Sequence, residues 1–542
     1  MTRRRPPAVL LPVAGGLVGA LACPPFGVAP AILAGLLVLA VALGRAPTWA
    51  VAARWGFAWA FAGQLVALRF VVPTVDRFTD LGPVGGVAAL VLLAAAQALG
   101  WAAAGAAAHL LSRRAGVPAP AAFAVVVLGV CAVPGVFAWT PAGLLAGRPE
   151  LLQGAEWIGE RGVSALLALV VGVAALAWSR PSGTTAPRPD RRLPPAGRLR
   201  ATRLAPLAAP LRPTRLLPLA IALVALLALD RAGAARMTAV DRAADGPAMR
   251  VGLVDQAAAP RTAADEPVST VLGRLEALSG RAERLGAHLV VWPEAAYRTP
   301  LPRGTRRISG GTVAPITPRA TAPRVIGLQT DDLATGRTYN SATLITPDGA
   351  VQEPYDKIAL LPFGETVPGP LRPLFPRASR TTPGRAARPL VLAARDAPPG
   401  VGPVRLGVLV CYEDMNPGVG RRVARLRPRL LVNVTNDAWF AGTSAPALQA
   451  RLAAVRAIEL RTSMVRAVNG GESTWIDAAG RVRRRQDRPG PAVTTADPVL
   501  RAADAAPTLY ARAGDRPLQL VAVLGVALCA GVRWGRARTR TP

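Results

Sequence analysis

The chain has 542 residues, of which 51% are hydrophobic, and its 64 basic and 32 acidic residues give a formal net charge of +32. This composition is too apolar for a simple soluble enzyme, and the length exceeds that of a single domain. The arginines concentrate at both ends and in loops between apolar segments, which fits a membrane protein better than a nucleic-acid partner. The four cysteines show no spacing that predicts disulfides or a zinc site.

Seven apolar segments precede residue 231, and each is a candidate membrane helix. The first follows a basic start, as a signal peptide would, but a second apolar segment comes directly after it, which favours a hairpin of two membrane helices. The segments cover residues 9–22, 29–43, 49–72, 85–111, 119–139, 163–178 and 216–229, and an eighth covers 518–532.

The charges of the loops predict the topology. The loops after the second, fourth and sixth segments carry Arg45, the pair Arg113-Arg114 and the arginine-rich stretch 180–215. The loops after the third and fifth segments hold five acidic residues among few arginines: Asp76, Asp80, Glu150, Glu156 and Glu160. This alternation obeys the positive-inside rule for a chain that starts in the cytoplasm. We therefore expect a membrane domain at 1–230 with seven spans, an extracytoplasmic catalytic domain at 231–515, and a final span with a basic cytoplasmic tail at 516–542.

The expected extracytoplasmic domain alternates strand and helix patterns, which is typical of a layered α/β fold. Helical spacing is found at 267–285 and 446–468. Strand patterns are found at 249–256, 288–292, 324–329, 341–346, 404–410, 430–434 and 473–476. Active groups on such folds gather where strands end, and Glu294 and Cys411 both follow strand-like runs.

Cys411 is the candidate nucleophile. It ends an apolar strand, where a thiol is exposed enough to attack a substrate, while the other three cysteines lie in apolar segments. The alternative is that Cys411 is a small buried hydrophobe. Lys357 is the single lysine among 64 basic residues, which suggests a position where arginine would not serve. Only His109 and His288 are present, so the thiol is expected to use a base other than histidine.

Four short motifs resemble the nitrilase (carbon–nitrogen hydrolase) superfamily: Val-Trp-Pro-Glu at 291–294, Tyr-Asp-Lys at 355–357, Leu-Pro-Phe-Gly-Glu at 361–365 and Val-Cys-Tyr-Glu at 410–413. With apolar spans on both sides, the chain resembles the membrane branch of that superfamily, the apolipoprotein N-acyltransferases. Further matching pieces are Pro-Pro-Phe-Gly at 24–27, Asn-Asp-Ala-Trp-Phe at 436–440, and Gln153, Gly159, Gly162 and Ser164.

The resemblance implies a polytopic α-helical membrane domain of about eight spans and an extracytoplasmic nitrilase-like αββα sandwich. It also implies a catalytic triad of Glu294, Lys357 and Cys411 and no metal or other cofactor. The carboxylate would take the thiol proton, and the ammonium would lower the thiol pKa and stabilise an oxyanion. The expected supporting residues are Glu365, Glu413, the backbone N–H of Tyr412, and Trp439 and Phe440 at the entrance for the acyl chain or headgroup.

The implied reaction has two half-reactions in the plasma membrane of a bacterium. Cys411 would take an acyl chain from a membrane phospholipid, and the α-amine of a diacylated apolipoprotein would then accept it. Two alternatives stay open at this point. One is a membrane-tethered amidase or nitrilase that acts on a small substrate with the same triad, and the other is a non-catalytic membrane scaffold.

Overall fold

The computed structural model describes residues 9–133, 135–137, 140–178, 213–244, 246–258, 266–308, 320–376, 378–486 and 490–538. Most of the arginine-rich loop expected after the sixth apolar segment lies outside these ranges, and so does part of the end of the fifth segment. Apolar helices from both ends of the chain form one part of the molecule, and an α/β sandwich forms the other.

Nine helices correspond to the apolar segments. They are α1 (Leu10–Ala20), α2 (Ala31–Arg45), α3 (Trp49–Ala67), α4 (Val71–Phe78), α5 (Gly82–Arg113), α6 (Ala119–Ala132), α7 (Ala155–Ala175), α8 (Pro213–Arg242) and α13 (Arg516–Arg538). The third predicted segment contains α3 and only the start of α4, and these two helices meet at an angle of 61°. Helix α8 continues well past residue 229, because the sequence after it is rich in alanine and arginine, which are good helix formers.

Length and composition limit which helices can cross a membrane alone. Among the described residues, α5, α7, α8 and α13 are long and apolar enough, and the bent pair α3–α4 makes a fifth candidate. The apolar helices α1, α2 and α6 have 11, 15 and 14 residues, whereas a hydrocarbon core of about 30 Å needs roughly 20 helical residues. The count of about eight spans therefore stays a prediction.

The α/β part contains two sheets. The first sheet has the order β13-β1-β2-β4-β5-β6, with β3 beside β4, and the second has the order β12-β11-β10-β9-β8-β7. The first sheet consists of β1 (Val251–Asp255), β2 (Leu289–Val291), β3 (Tyr297–Pro302), β4 (Arg324–Asp332), β5 (Arg337–Ile345), β6 (Tyr355–Asp356) and β13 (Ala492–Ala496). The second consists of β7 (Pro389–Leu392), β8 (Val404–Val410), β9 (Leu430–Asn436), β10 (Met464–Asn469), β11 (Thr474–Ile476) and β12 (Val482–Arg485).

Alternating side chains of the strands build the layers. Val408 and Val410 of β8 face the first sheet in one apolar core, together with residues such as Val251 and Val291. Helix α9 (Val268–Arg284) covers the other side of the first sheet. Helices α10 (Pro417–Ala424) and α11 (Ala445–Leu460) cover the second sheet, and the short α12 (Leu509–Ala513) lies near them. The result is the αββα sandwich that the resemblance implied.

The outer helix layer also joins the sandwich to the apolar helices. One continuous core contains Leu409 of β8, Leu452 of α11, Leu167 of α7 and Leu36 of α2. The α/β part is therefore packed directly against the helical part, with α11 between the second sheet and α7.

The prediction of one helix over 446–468 is wrong. Helix α11 ends at Leu460, Arg461 adopts a left-handed backbone with φ 48°, and β10 begins at Met464. The β-branched residues of 464–469 pair with β9 and β11, and this sheet pairing decides the conformation. Five further strands lie outside the predicted ones: β3, β6, β7, β12 and β13, of which β6 has only two residues.

Candidate active site

Cys411 lies at a sharp turn between β8 and a 3-10 helix, Cys411–Met415. Its φ of 54° is in the left-handed region, which a non-glycine residue occupies only when its surroundings hold it there. The Asn433 side-chain amide donates a hydrogen bond of 2.9 Å to the Cys411 carbonyl and supports the turn. The sequence predicted an exposed thiol, but Cys411 is only 7% exposed because the turn lies between the two sheets and α11. A substrate must therefore enter a closed site.

Lys357 lies between two carboxylates. Its Nζ is 3.2 Å from Glu294 Oε1 and 2.7 Å from Glu365 Oε2, and the residue is 1% exposed. Glu294 follows the end of β2, and Lys357 follows β6, so the first sheet brings both groups to one edge. The second sheet supplies Cys411 at the end of β8. The structure thus brings together the three residues proposed from sequence and places Glu365 where it can orient the lysine.

Asn340 is a site residue to which the sequence analysis gave no role. Its side-chain amide donates hydrogen bonds of 2.7 Å to Glu294 Oε1 and to Glu365 Oε1. The other oxygen of Glu294 accepts from the backbone N–H of Asn436 at 2.9 Å. The two carboxylates are therefore held by fixed donors, although a like-charge pair would repel. Asn340 lies in β5, and its bridging position depends on the pairing of β5 with β6, which the sequence did not reveal.

Opposing influences set the protonation of the site. Burial raises the pKa of the Cys411 thiol, Glu294 raises it further and Lys357 lowers it, and the net effect is a pKa well above the ordinary value. Lys357 lowers the thiol pKa, as expected, but burial and Glu294 raise that pKa by more. Burial lowers the pKa of Lys357, while Glu294 and Glu365 raise it more, so its pKa lies well above the ordinary range. The resting site therefore holds a neutral thiol beside an ammonium and needs a base when the thiol attacks.

This protonation state predicts a steep pH dependence. Alkylation of Cys411 by iodoacetamide should accelerate about tenfold per pH unit between about pH 7 and pH 9, because the thiolate is the reactive form and its fraction grows tenfold per unit below the pKa. Peptide mapping by mass spectrometry measures the rate at Cys411, and the Cys411→Ala variant gives the background from the other cysteines. A rate that levels off between about pH 8 and pH 9 would show a thiol of ordinary pKa, and a rate that levels off at lower pH would show a lowered pKa.

Glu413 ties the nucleophile turn to the lysine loop. One carboxylate oxygen accepts from the backbone N–H groups of Ile358 at 2.7 Å and Ala359 at 2.9 Å. The other accepts from Val410 N–H and from the Tyr355 hydroxyl, both at 2.8 Å. Burial raises the pKa of Glu413 to about 7, although these donors lower it. Glu413 is therefore a structural link between the segments that hold Cys411 and Lys357.

Aromatic side chains line a small cavity beside Cys411. A cavity of about 30 Å³ beside Cys411 is lined by Tyr412, Phe440, Phe70 of the α3–α4 connection and Phe137, which follows α6. The ring of Tyr412 lies 5.8 Å from Lys357 Nζ, and its hydroxyl donates to the Leu360 carbonyl at 2.8 Å. Of the two residues predicted for the entrance, Phe440 lines this cavity. Trp439 does not; it stacks on Phe78 of α4 with ring centres 4.3 Å apart.

Comparisons with known proteins give matches in both parts of the chain. The family model for the carbon-nitrogen hydrolases matches residues 256–506, which contain all of the sandwich except β1 and include the Glu–Lys–Cys cluster. The model for the apolipoprotein N-acyltransferase N-terminal domain matches residues 15–173, which run from within α1 to near the end of α7. The chain belongs to the apolipoprotein N-acyltransferase family. The family resemblance drawn from the motifs is thereby confirmed.

Curated apolipoprotein N-acyltransferases are among the relatives. The protein from Geobacter metallireducens is 37% identical over 221 residues, which are 38% of this chain and 39% of that protein. The protein from Bradyrhizobium diazoefficiens is 34% identical over 261 residues, 45% of this chain and 44% of that protein. The chain thus aligns with less than half the length of these two relatives. An amidase of the nitrilase superfamily from Nesterenkonia covers 50% of this chain and 96% of its own, at 21% identity and a TM-score of 0.34.

Proposed function

We propose that this member of the apolipoprotein N-acyltransferase family moves a fatty acyl chain from a membrane phospholipid to the α-amino group of the N-terminal diacylglyceryl-cysteine of apolipoproteins. The supporting observation is the position of the cavity beside Cys411. The cavity at the Cys411 thiol is lined partly by Phe70 and Phe137, which belong to the apolar helical part. A site for a small water-soluble amide would not need aromatic side chains from that part, whereas a lipid approaching from the bilayer would contact them first.

In the first half-reaction, Cys411 Sγ attacks the ester carbonyl of the phospholipid while Glu294 accepts the thiol proton. The negative charge on the carbonyl oxygen is stabilised by the Lys357 ammonium and by the backbone N–H of Tyr412. The C–O bond then breaks. The departing lysophospholipid oxygen takes the proton from Glu294, and the acyl chain stays on sulfur as a thioester.

In the second half-reaction, the lipoprotein α-amine attacks the thioester carbonyl. Glu294 accepts a proton from the attacking nitrogen, and the same oxyanion contacts stabilise the second tetrahedral intermediate. The C–S bond breaks, the amide forms, and the proton returns from Glu294 to the thiolate of Cys411. Glu365 and Asn340 act in both steps as positioning groups, since their hydrogen bonds and ion pairs fix Lys357 and Glu294.

The test uses the full chain in phospholipid vesicles with a synthetic diacylated lipopeptide that has a free α-amine. Mass spectrometry should find a lipopeptide heavier by one acyl chain and an equal amount of lysophospholipid. Free fatty acid in place of triacylated lipopeptide would instead identify a hydrolase. The matched control is the same lipopeptide with an acetylated N-terminus, which has no free amine to accept the acyl chain.

The topology is part of the proposal. The proposed arrangement has a membrane domain at 1–230, a catalytic domain at 231–515 and a C-terminal span at 516–542. In this arrangement the site lies outside the cytoplasm of a bacterial cell, next to the outer leaflet of the plasma membrane. This arrangement rests on the charge alternation of the loops, which obeys the positive-inside rule.

A reporter enzyme that works only outside the cytoplasm should be active when fused at Ala397, in the connection between β7 and β8. The same reporter should be inactive at Gly197, which lies outside the described residues. Reporter activity normalised to protein amount measures both fusions. A silent Ala397 fusion together with an active Gly197 fusion would invert the proposed topology.

A further inference from the structure

A buried cluster of charged side chains joins the apolar helix α7 to helix α11 of the sandwich. Arg456 of α11 is fully buried and donates a hydrogen bond of 2.5 Å to Glu160 Oε2 of α7. Arg456 Nη1 also lies 2.5 Å from Glu459 Oε2, an ion pair that lacks the alignment of a hydrogen bond. Glu160 is 3% exposed and Glu459 is 1% exposed. Because removing one partner of such a buried pair leaves a charge without compensation, the contact holds the two helices in one relative position.

The backbone of α7 is shaped for this contact. Gly159 interrupts the helix with φ 69° and ψ 172°, and the ring of Tyr510 from α12 fills the space that a side chain at position 159 would need. The backbone N–H of Glu160, which the interruption frees from the helix, donates to Glu459 Oε1 at 2.8 Å. The second oxygen of Glu160 accepts from the Thr140 hydroxyl at 2.5 Å. Gly159 is one of the residues in the family resemblance that had no predicted role. Its backbone conformation allows the contact between α7 and α11.

The same α11 helix reaches the active site at its other end. Leu448 and Gln449 line the cavity beside Cys411, about two helical turns from Arg456. The Gln449 amide donates to Asp414 at 3.3 Å, and Asp414 lies in the 3-10 helix that begins with Cys411. Arg466 Nε donates to Asp414 at 3.0 Å from the opposite side. Helix α11 thus contacts Glu160 of α7 through Arg456 and, about two turns away, contacts the turn that holds the nucleophile through Gln449.

We infer that Glu160 and Arg456 are positioning residues that set the place of Cys411 relative to the bilayer, so that the thiol meets the ester carbonyl of a lipid whose chains stay in the membrane. The inference rests on the proposed lipid donor. It differs from a general stabilising role, because it predicts a loss for lipid substrates and none for a small reagent that reaches the thiol from water.

The experiment compares two electrophiles on the full chain in vesicles: N-ethylmaleimide in solution, and a maleimide attached to the headgroup of a vesicle phospholipid. Arg456→Gln should slow labelling of Cys411 by the lipid-bound maleimide, and acylation by phospholipid, about a hundredfold, which is the cost of a misplacement near 1 Å. Labelling by N-ethylmaleimide should stay at the rate of the unaltered chain. Arg456→Lys should recover part of the lipid-dependent rate because it keeps the charge.

Arg307→Gln is the matched control, since Arg307 forms an exposed ion pair with Asp348 on the sandwich, with side-chain exposures of 60% and 53%. Both rates should be unchanged in it. If Arg456→Gln does not purify as a folded protein, Glu160→Gln keeps the shape of the side chain and should lower the lipid-dependent rates about tenfold. An equal loss with both maleimides, or no loss with either, overturns the inference. If the unaltered chain reacts with the lipid-bound maleimide but never becomes acylated, the proposed function fails while the positioning role is still tested.

Discussion

The Cys411→Ala variant is expected to lose all covalent acylation when the full chain is mixed with phospholipid vesicles in the absence of an acceptor. The unaltered chain should gain the mass of one acyl chain, because the thiol is the nucleophile and the thioester has no amine to react with. Intact-protein mass spectrometry measures the adduct. Hydroxylamine should release it, and so should a diacylated lipopeptide with a free α-amine.

The Cys411→Ser variant is the matched control for the fold. Serine is nearly the size of cysteine, so the left-handed turn and the Asn433 hydrogen bond to the backbone should persist. Turnover should nevertheless fall strongly, because a hydroxyl is much harder to ionise than a thiol. An acyl adduct of equal yield in Cys411→Ala would exclude this residue as the nucleophile. An adduct that only water discharges would identify the protein as a hydrolase.

The Lys357→Arg variant should lose about two to three orders of magnitude in turnover although the positive charge is kept. The Lys357 ammonium is 1% exposed, and two carboxylates lie within 3.2 Å of its Nζ. A planar guanidinium cannot place its charge at the same point in that space. The oxyanion would therefore lose its main cationic partner. Single-turnover acylation with a labelled phospholipid measures the loss.

The control for this change is the reverse exchange at a nearby ion pair. Arg303 lies 2.9 Å from Asp356, the residue before Lys357, and its side chain is 29% exposed. Arg303→Lys should acylate at nearly the normal rate. If Lys357→Arg were equally active, Lys357 would be a structural charge and the proposed oxyanion contact would be wrong.

The sequence predicted the residues of the cluster better than it predicted their environment. Glu294 and Cys411 each follow a buried strand, and strand ends in layered α/β folds converge, so their proximity was predictable. The burial of Cys411 was not, because it depends on how α11 and the apolar helices cover the turn. The bridging role of Asn340 was unpredicted for a similar reason, because its neighbours Glu294 and Glu365 are distant in sequence. A strand pattern alone does not show which amide side chain in the strand belongs to the site.

The error in the helix predicted over 446–468 has a physical origin. Hydrogen bonds to β9 and β11 fix residues 464–469 as a strand. These contacts with distant parts of the chain decide the conformation, whereas local spacing describes only neighbours.

The raised pKa of Lys357 also protects the protein from its own intermediate. In the proposed acyl-enzyme, the Lys357 side chain lies beside a thioester, and a neutral amine in that position would capture the acyl chain as a stable amide and inactivate the site. Glu294 and Glu365 keep the nitrogen protonated, and a protonated nitrogen has no lone pair for attack. The two carboxylates therefore allow one amine, that of the incoming lipoprotein, to react while the amine already in the site cannot.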